Sequence, residues 1–205
     1  MINNTKKSLQ VTEEISDLIN GETFHHHYYV LLDVANTIEG EINYLEIGCY
    51  GGGSASLLLS RPNTNVFSID LGEPIPKECV LANVAKTNVL KNNYTYVQGD
   101  SHSDKTKEEI KSLVKEVDIL FIDGDHSFNG VIQDYDMYID MVKEGGYIVF
   151  DDYNDSIYSP EVKLGVDSIL SRPDFKYTKI GCLPNIHNAR PITIKEGNCY
   201  IVRKS

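Results

Sequence analysis

Six carboxylates stand where short apolar runs of this chain end: Glu46, Asp70, Asp100, Asp123, Asp151 and Asp152. Acids gathered in one place raise each other's proton affinity unless cations or hydrogen-bond donors lie among them. A cationic organic ligand and a metal ion would each relieve such a cluster. Near the acids lie a glycine-rich segment, GCYGGG at 48–53, and a histidine, His126 in IDGDHS. With an ordinary pKa of about 6.5, a histidine suits general-base work or the holding of a carboxylate.

The elements that position these residues follow from pattern. Five runs recur at even spacing: NYLEIG (43–48), NVFSID (65–70), YTYVQG (94–99), VDILFID (117–123) and GYIVFDD (146–152). Between them, apolar residues fall at steps of three and four. Phe128, Val131, Ile132, Tyr135, Tyr138, Ile139 and Val142 predict one helix face. Ile110, Leu113 and Val114 predict another, and Val162, Val166, Ile169 and Leu170 a third. Strands alternating with helices imply a doubly wound, mostly parallel sheet covered on both faces. FKYTKIG (175–181) and NCYIVRK (198–204) read as a C-terminal antiparallel hairpin. A single α/β domain over 1–205 is expected, with N-terminal helices in 1–40 and the ligand-binding core in 41–205. In such sheets ligands bind at the carboxyl ends of the strands, where the six acids would gather.

The glycine segment follows a strand and precedes the helical run ASLLL. A dinucleotide loop reads G-x-G-x-x-G and would place its second glycine at position 50, where this chain has Tyr50. Glu46, two residues before Gly48, is awkward beside a pyrophosphate but suits a ligand carrying a sulfonium and an ammonium group. Asp70 comes 22 residues after Gly48, the place of a carboxylate that binds both ribose hydroxyls. With these residues, LEIGCYGGGS (45–54) resembles the first S-adenosylmethionine (SAM) motif of the class I methyltransferases, whose sheet is Rossmann-like. The resemblance is strongest over 43–152. It implies that Glu46, Gly48, Cys49, Tyr50 and Gly52 shape the methionine pocket and that Ser54 begins the next helix. It further implies that Asp70 and Leu71 hold the ribose side, with Asp100 and Ser101 of GDS at the adenine.

FIDGDHSFNGVIQDYD (121–136) and VFDDYND (149–155) narrow the resemblance to metal-dependent small-molecule O-methyltransferases, of the catechol, caffeoyl-CoA and macrocin sugar types. It implies Asp123, Asp151 and Asp152 as Mg²⁺ ligands and Asp125 near the cofactor. Asp123 and His126 would be catalytic, His126 as a base or as the partner of a carboxylate. Mg²⁺ prefers hard oxygen ligands and would activate and orient a hydroxyl toward the sulfonium methyl. Two departures stand out: Asp152 replaces the asparagine of the catechol type, and His126 replaces its lysine. Capping by Asp125 or Ser127 of a helix starting at Phe128 is the plain alternative for the fourth-strand acids.

A net charge of −11 argues against a nucleic-acid substrate and favours a small-molecule or sugar acceptor. No apolar run reaches membrane-spanning length and the first residues lack a signal-peptide pattern, so a cytoplasmic protein is expected, in the host cytoplasm if the chain is viral. Cys49, Cys79, Cys182 and Cys199 read as free thiols. His25–His27 read as a solvated helix start, since consecutive helical residues point apart, with the lesser alternative that one of them faces the active-site mouth. Asn185, His187 and Arg190, with Tyr153 and Asn154, are candidates for acceptor contact. A homodimer is expected by analogy with relatives alone. Three other readings stay open: a metal-free methyltransferase acting on oxygen or nitrogen, a non-catalytic SAM-binding module and, least favoured, an NAD-dependent oxidoreductase.

Overall fold

The apolar runs are buried on both sides, as a sheet between two helical layers requires. A computed structural model describes residues 5–19, 25–183 and 198–204. In chain order the strands are β1 (Ile42–Ile47), β2 (Thr64–Asp70), β3 (Tyr94–Gln98), β4 (Val117–Ile122), β5 (Val142–Phe150), β6 (Thr178–Cys182) and β7 (Tyr200–Arg203). The helices are α1 (Thr5–Leu18), α2 (Tyr29–Ala35), α3 (Gly53–Leu59), α4 (Lys77–Thr87), α5 (Asp104–Leu113), α6 (Phe128–Tyr138) and α7 (Val162–Leu170). One seven-stranded sheet has the order β3-β2-β1-β4-β5-β7-β6. The first five strands pair in parallel; β7 pairs antiparallel with both β5 and β6. The expected C-terminal hairpin is therefore present, with its second strand inserted beside β5.

Neighbouring strand residues point to opposite faces. Tyr44, Val66, Ile119, Phe121, Val149 and Ile201 pack with α2 and α3. Leu45, Ile47, Leu120, Ile122, Ile148 and Val202 pack with residues of α5, α6 and α7 on the other face. Every residue of α3 is buried, which explains why ASLLL carries no polar stripe. The predicted helix after β4 is shorter than its periodicity suggests. It ends at Tyr138, Ile139–Met141 form a 3₁₀ turn, and Val142 opens β5 opposite Val117. A short apolar run does not distinguish a helix end from a strand start.

The ladder puts the acids level with one another. Ile47 is in register with both Ile69 and Ile122, and Ile122 with Phe150. The next residues are Asp70, Gly48, Asp123 and Asp151. Backbone bonds carry the ladder one step further: Gly48 N donates to Ile69 O (2.8 Å), Asp123 N to Ile47 O (2.9 Å) and Asp151 N to Ile122 O (3.0 Å). Three acids thus lie along one row with a glycine among them.

Candidate active site

A cavity of about 810 Å³ opens over this row. Tyr50, Asp70, Leu71, Asp100 and Ser101 line one part of it, and Tyr28, Asp123, Asp125 and His126 another. Its size falls within the roughly 300–1,000 Å³ of small-molecule sites. Gly48 has φ +79°, and a Cβ there would lie 2.0 Å from the Asp123 carbonyl oxygen. Only glycine lets the β1 turn pass so close to the end of β4.

At the β1–β2 side, neutral donors surround the acids. Asp70 Oδ2 accepts from the backbone N–H groups of Cys49 (2.9 Å) and Tyr50 (3.0 Å), and its Oδ1 from that of Gly72 (2.7 Å). Asp70 therefore shapes the glycine turn as well as lining the cavity. Glu46 is fully buried and accepts from the hydroxyls of Ser54 (2.6 Å), Ser68 (2.6 Å) and Tyr44 (3.0 Å). Burial pushes its carboxyl up to about 7 against the pull of these donors. Glu46 and Ser54 thus sit beneath the turn and brace it, rather than among the residues lining the cavity. Gly52 (φ +81°) caps α3, and Cys49 is buried against Val80 and Tyr96. Tyr50, Leu71 and Asp100 are exposed to the cavity.

At the β4–β5 side the acids face each other and imidazoles. Asp123, with 15% of its side chain exposed, accepts from Tyr28 Oη (3.2 Å) and lies 3.3 Å from His126 Nε2. Burial and the neighbouring Asp151 push its carboxyl up to about 8. Asp151 is buried with His27 Nε2 at 2.8 and 3.1 Å from its two oxygens, and it accepts from the Cys199 thiol (3.3 Å). Burial would raise Asp151, but the charge and hydrogen bond of His27 hold it well below the usual carboxylate range. Asp152 has φ +53° and accepts from Ser159 Oγ (2.7 Å) and Asn198 Nδ2 (2.8 Å). Burial and Asp151 raise its carboxyl. His126 Nδ1 lies 2.9 Å from Ser159 Oγ and 3.6 Å from Asp152. Its hydrogen bond to Asp123 outweighs burial and raises it to about 9.

A family profile described as a methyltransferase domain matches residues 45–153, more than half of the chain. The chain belongs to this methyltransferase family. A protein of Acanthamoeba polyphaga mimivirus, "Uncharacterized protein R132", is 36% identical over 185 residues, covering 86% of this methyltransferase and 84% of that protein. Among solved structures, the O-methyltransferase from Bacillus cereus in complex with SAH aligns with a TM-score of 0.65 at 18% identity, over 99% of this chain and 90% of that one. MycE methyltransferase from the mycinamycin biosynthetic pathway, in complex with Mg, SAH and mycinamycin VI, aligns with a TM-score of 0.64 at 19% identity. The match covers 95% of this chain and 53% of that one. The fold of this methyltransferase is thus that of the class I SAM-dependent enzymes.

The acids fit a divalent cation in part. Asp123, His126 and Asp152 each offer a donor atom within 4.8 Å of the others, as do His25, His27, Asp151 and Asp152. The expected triad of Asp123, Asp151 and Asp152 is thereby divided between two groups that share Asp152. Capping accounts for Ser127, which accepts from Gly130 N (3.0 Å), and Asp125 accepts from Ser127 N (2.9 Å) while still lining the cavity. It does not account for Asp123 or the β5 pair.

In the histidine segment the solvated helix start gives way to the alternative, a histidine, His25, facing the cavity. The segment is not an α-helix start: His25 is extended (φ −95°, ψ 121°), and His26–Tyr28 form one 3₁₀ turn before α2. That corner brings His27 to Asp151, Tyr28 to Asp123 and His25 to the cavity. Tyr153 is not among the described residues that line this cavity. Its hydroxyl donates to Asp167 (2.6 Å) on α7 and its ring packs on Tyr200, while Asn154 lies against Cys182. Neither lines the cavity. Asn185, His187 and Arg190 lie outside the described residues. Sequence reasoning also missed Ser159, Asn198 and Cys199, which carry no motif and reach the acids only through the fold. Among the described residues no helix is long and apolar enough to cross a membrane.

Proposed function

We propose that this methyltransferase moves the SAM methyl group to a hydroxyl of a small molecule or sugar, with a divalent cation, Mg²⁺ in the simplest case, at the β4–β5 ends. The carrying observation is the one cavity that joins Asp70 and Asp100 to Asp123 and His126. In this reading the Gly48–Gly52 turn, braced by Glu46 and Ser54, takes the methionine part. Cys49 and Tyr50 present their backbone there, Asp70 and Leu71 face the ribose, and Asp100, Ser101 and Asp125 surround the adenine.

In the reaction the acceptor oxygen forms a bond to the methyl carbon, the carbon–sulfur bond breaks, S-adenosylhomocysteine (SAH) leaves and the hydroxyl proton goes to a base. His126 is that base. As a cation between Asp123 and Asp152 it becomes competent once those acids are neutralised. Asp123, Asp151 and Asp152 would hold the dication, which would supply that neutralisation and lower the acceptor hydroxyl's pKa. Tyr28 holds Asp123 in place. MycE, whose complex contains Mg, SAH and a mycinamycin, supports the metal and the small-molecule acceptor. The charge of −11 supports the exclusion of nucleic acid. We read residues 1–205 as one domain and the protein as cytoplasmic.

A second reading rests on His126 itself: its imidazolium already offsets the charge of the acids, as a dication would, and with Asp123 taking the acceptor proton the transfer, to oxygen or nitrogen, would need no metal. SAH release measured against panels of phenolic, catecholic, sugar and amine acceptors, with and without EDTA, separates the two. Turnover lost in EDTA and restored by Mg²⁺ is expected. Turnover indifferent to EDTA removes the metal, and a product methylated on nitrogen removes the hydroxyl.

A further inference from the structure

We infer that His25 and His27 join Asp151 and Asp152 as ligands of a first-row transition-metal dication, so that this centre favours a nitrogen-binding ion over Mg²⁺. The inference rests on the metal-assisted reading of the same strand ends and adds the identity of the ion.

The donor set carries the argument. One atom from each of His25, His27, Asp151 and Asp152 lies within 4.8 Å of all the others. Mg²⁺ seeks oxygen ligands and keeps its waters, whereas imidazole suits the later divalent ions of the first row. Two imidazoles converging on two adjacent carboxylates form a mixed nitrogen–oxygen set. His126, 3.6 Å from Asp152, stands beside it with a third imidazole.

The surroundings resemble those of metal ligands, which are themselves held by outer hydrogen bonds. Asp152 is fixed by Ser159 and Asn198, and Asp151 by the Cys199 thiol. The His25 ring stacks on Tyr28 at 5.3 Å and 11°, which sets its plane. His27 Nε2 faces both oxygens of Asp151, a hydrogen bond that ligation by the same atoms would replace. The backbone explains how neighbouring histidines converge. In a continuous α-helix residues two apart diverge by about 200°. Here one extended residue followed by a 3₁₀ turn brings His25 and His27 to the same acids.

The test is calorimetry of the full chain with Zn²⁺, Mn²⁺ and Mg²⁺, paired with pulsed electron paramagnetic resonance of the Mn²⁺-loaded protein. His25→Ala changes an exposed side chain and His27→Gln keeps a donor toward Asp151, so both are expected to fold, which circular dichroism and a urea midpoint verify. We expect each to weaken Zn²⁺ binding by about tenfold or more while Mg²⁺ affinity shifts less than about threefold. The ¹⁴N couplings of bound Mn²⁺ should diminish in the double variant, and His102→Ala, outside the cluster, should change nothing. Zn²⁺ affinity unchanged in both variants, or ¹⁴N couplings identical to those of the parent, overturns the inference. If Mg²⁺ still binds and supports turnover in that case, the metal-assisted reading survives; if no cation binds, both fail.

Discussion

At the β1–β2 side of the cavity, Glu46 accepts from three hydroxyls and Asp70 from three backbone N–H groups. At the β4–β5 side, Asp123, Asp151 and Asp152 face one another and the imidazoles of His27 and His126. Acids of one sheet, Asp70 level with Asp123 and Asp151 and Glu46 two residues below, lie in different company. Fixed neutral donors make a scaffold that is complete before any ligand arrives. Titratable neighbours make a centre whose charge distribution depends on what binds. The first arrangement suits a cofactor cradle and the second suits chemistry.

Gly48 joins the two sides, so replacing it tests whether they share one frame. Gly48→Ala places a Cβ 2.0 Å from the Asp123 carbonyl at φ +79°. We expect a loss of at least about 4 kcal/mol in urea unfolding, or failure to fold. A stable variant would show that the turn and the end of β4 move independently. Next, Asp123→Asn should lower turnover about 10³-fold while SAH affinity changes less than about threefold. Equal losses in both would abolish the distinction between cradle and reactive centre.

Glu46 sharpens the comparison through pH. Its folded pKa of about 7 lies above the ordinary value of 4.5. Between those values the native state keeps a proton that the unfolded state releases, so this stabilisation is present at low pH and is lost as pH rises toward 7. Relative to Glu46→Gln, the parent should lose on the order of 3 kcal/mol between about pH 4.5 and 7.5. Urea midpoints across that range measure it, and parallel curves would count against a buried, raised Glu46. The smallest effect is expected of Asp70→Asn. Losing the charge that orders the Cys49 and Tyr50 N–H groups should weaken SAH binding about tenfold to thirtyfold, near 2 kcal/mol, with metal affinity unmoved.

The strands and the glycine turn between them were legible because their signals are local. A short apolar run, a glycine turn and an acid at each run's end all lie within a few residues. The row of Asp70, Gly48, Asp123 and Asp151 followed once those ends were aligned. The reactive side was less legible. Asp123 and the β5 pair were visible as acids, but their partners come from residues 25–28, Ser159 and the 198–199 strand entry. Their approach depends on backbone corners that composition does not encode. His25–His27 show why: read as an α-helix the run diverges, and only the extended residue at 25 makes it converge. Glu46 was found by motif, yet its hydroxyl cage requires Tyr44, Ser54 and Ser68 from three elements.

The most direct test of the central claim, a cofactor cradle complete in itself beside a separate reactive centre, is calorimetric titration of SAH into the chain in the presence of EDTA. One SAH per chain is predicted to bind with a Kd in the micromolar range, unaltered by Asp123→Asn. No binding up to millimolar SAH, or binding that disappears when EDTA is added, would contradict it.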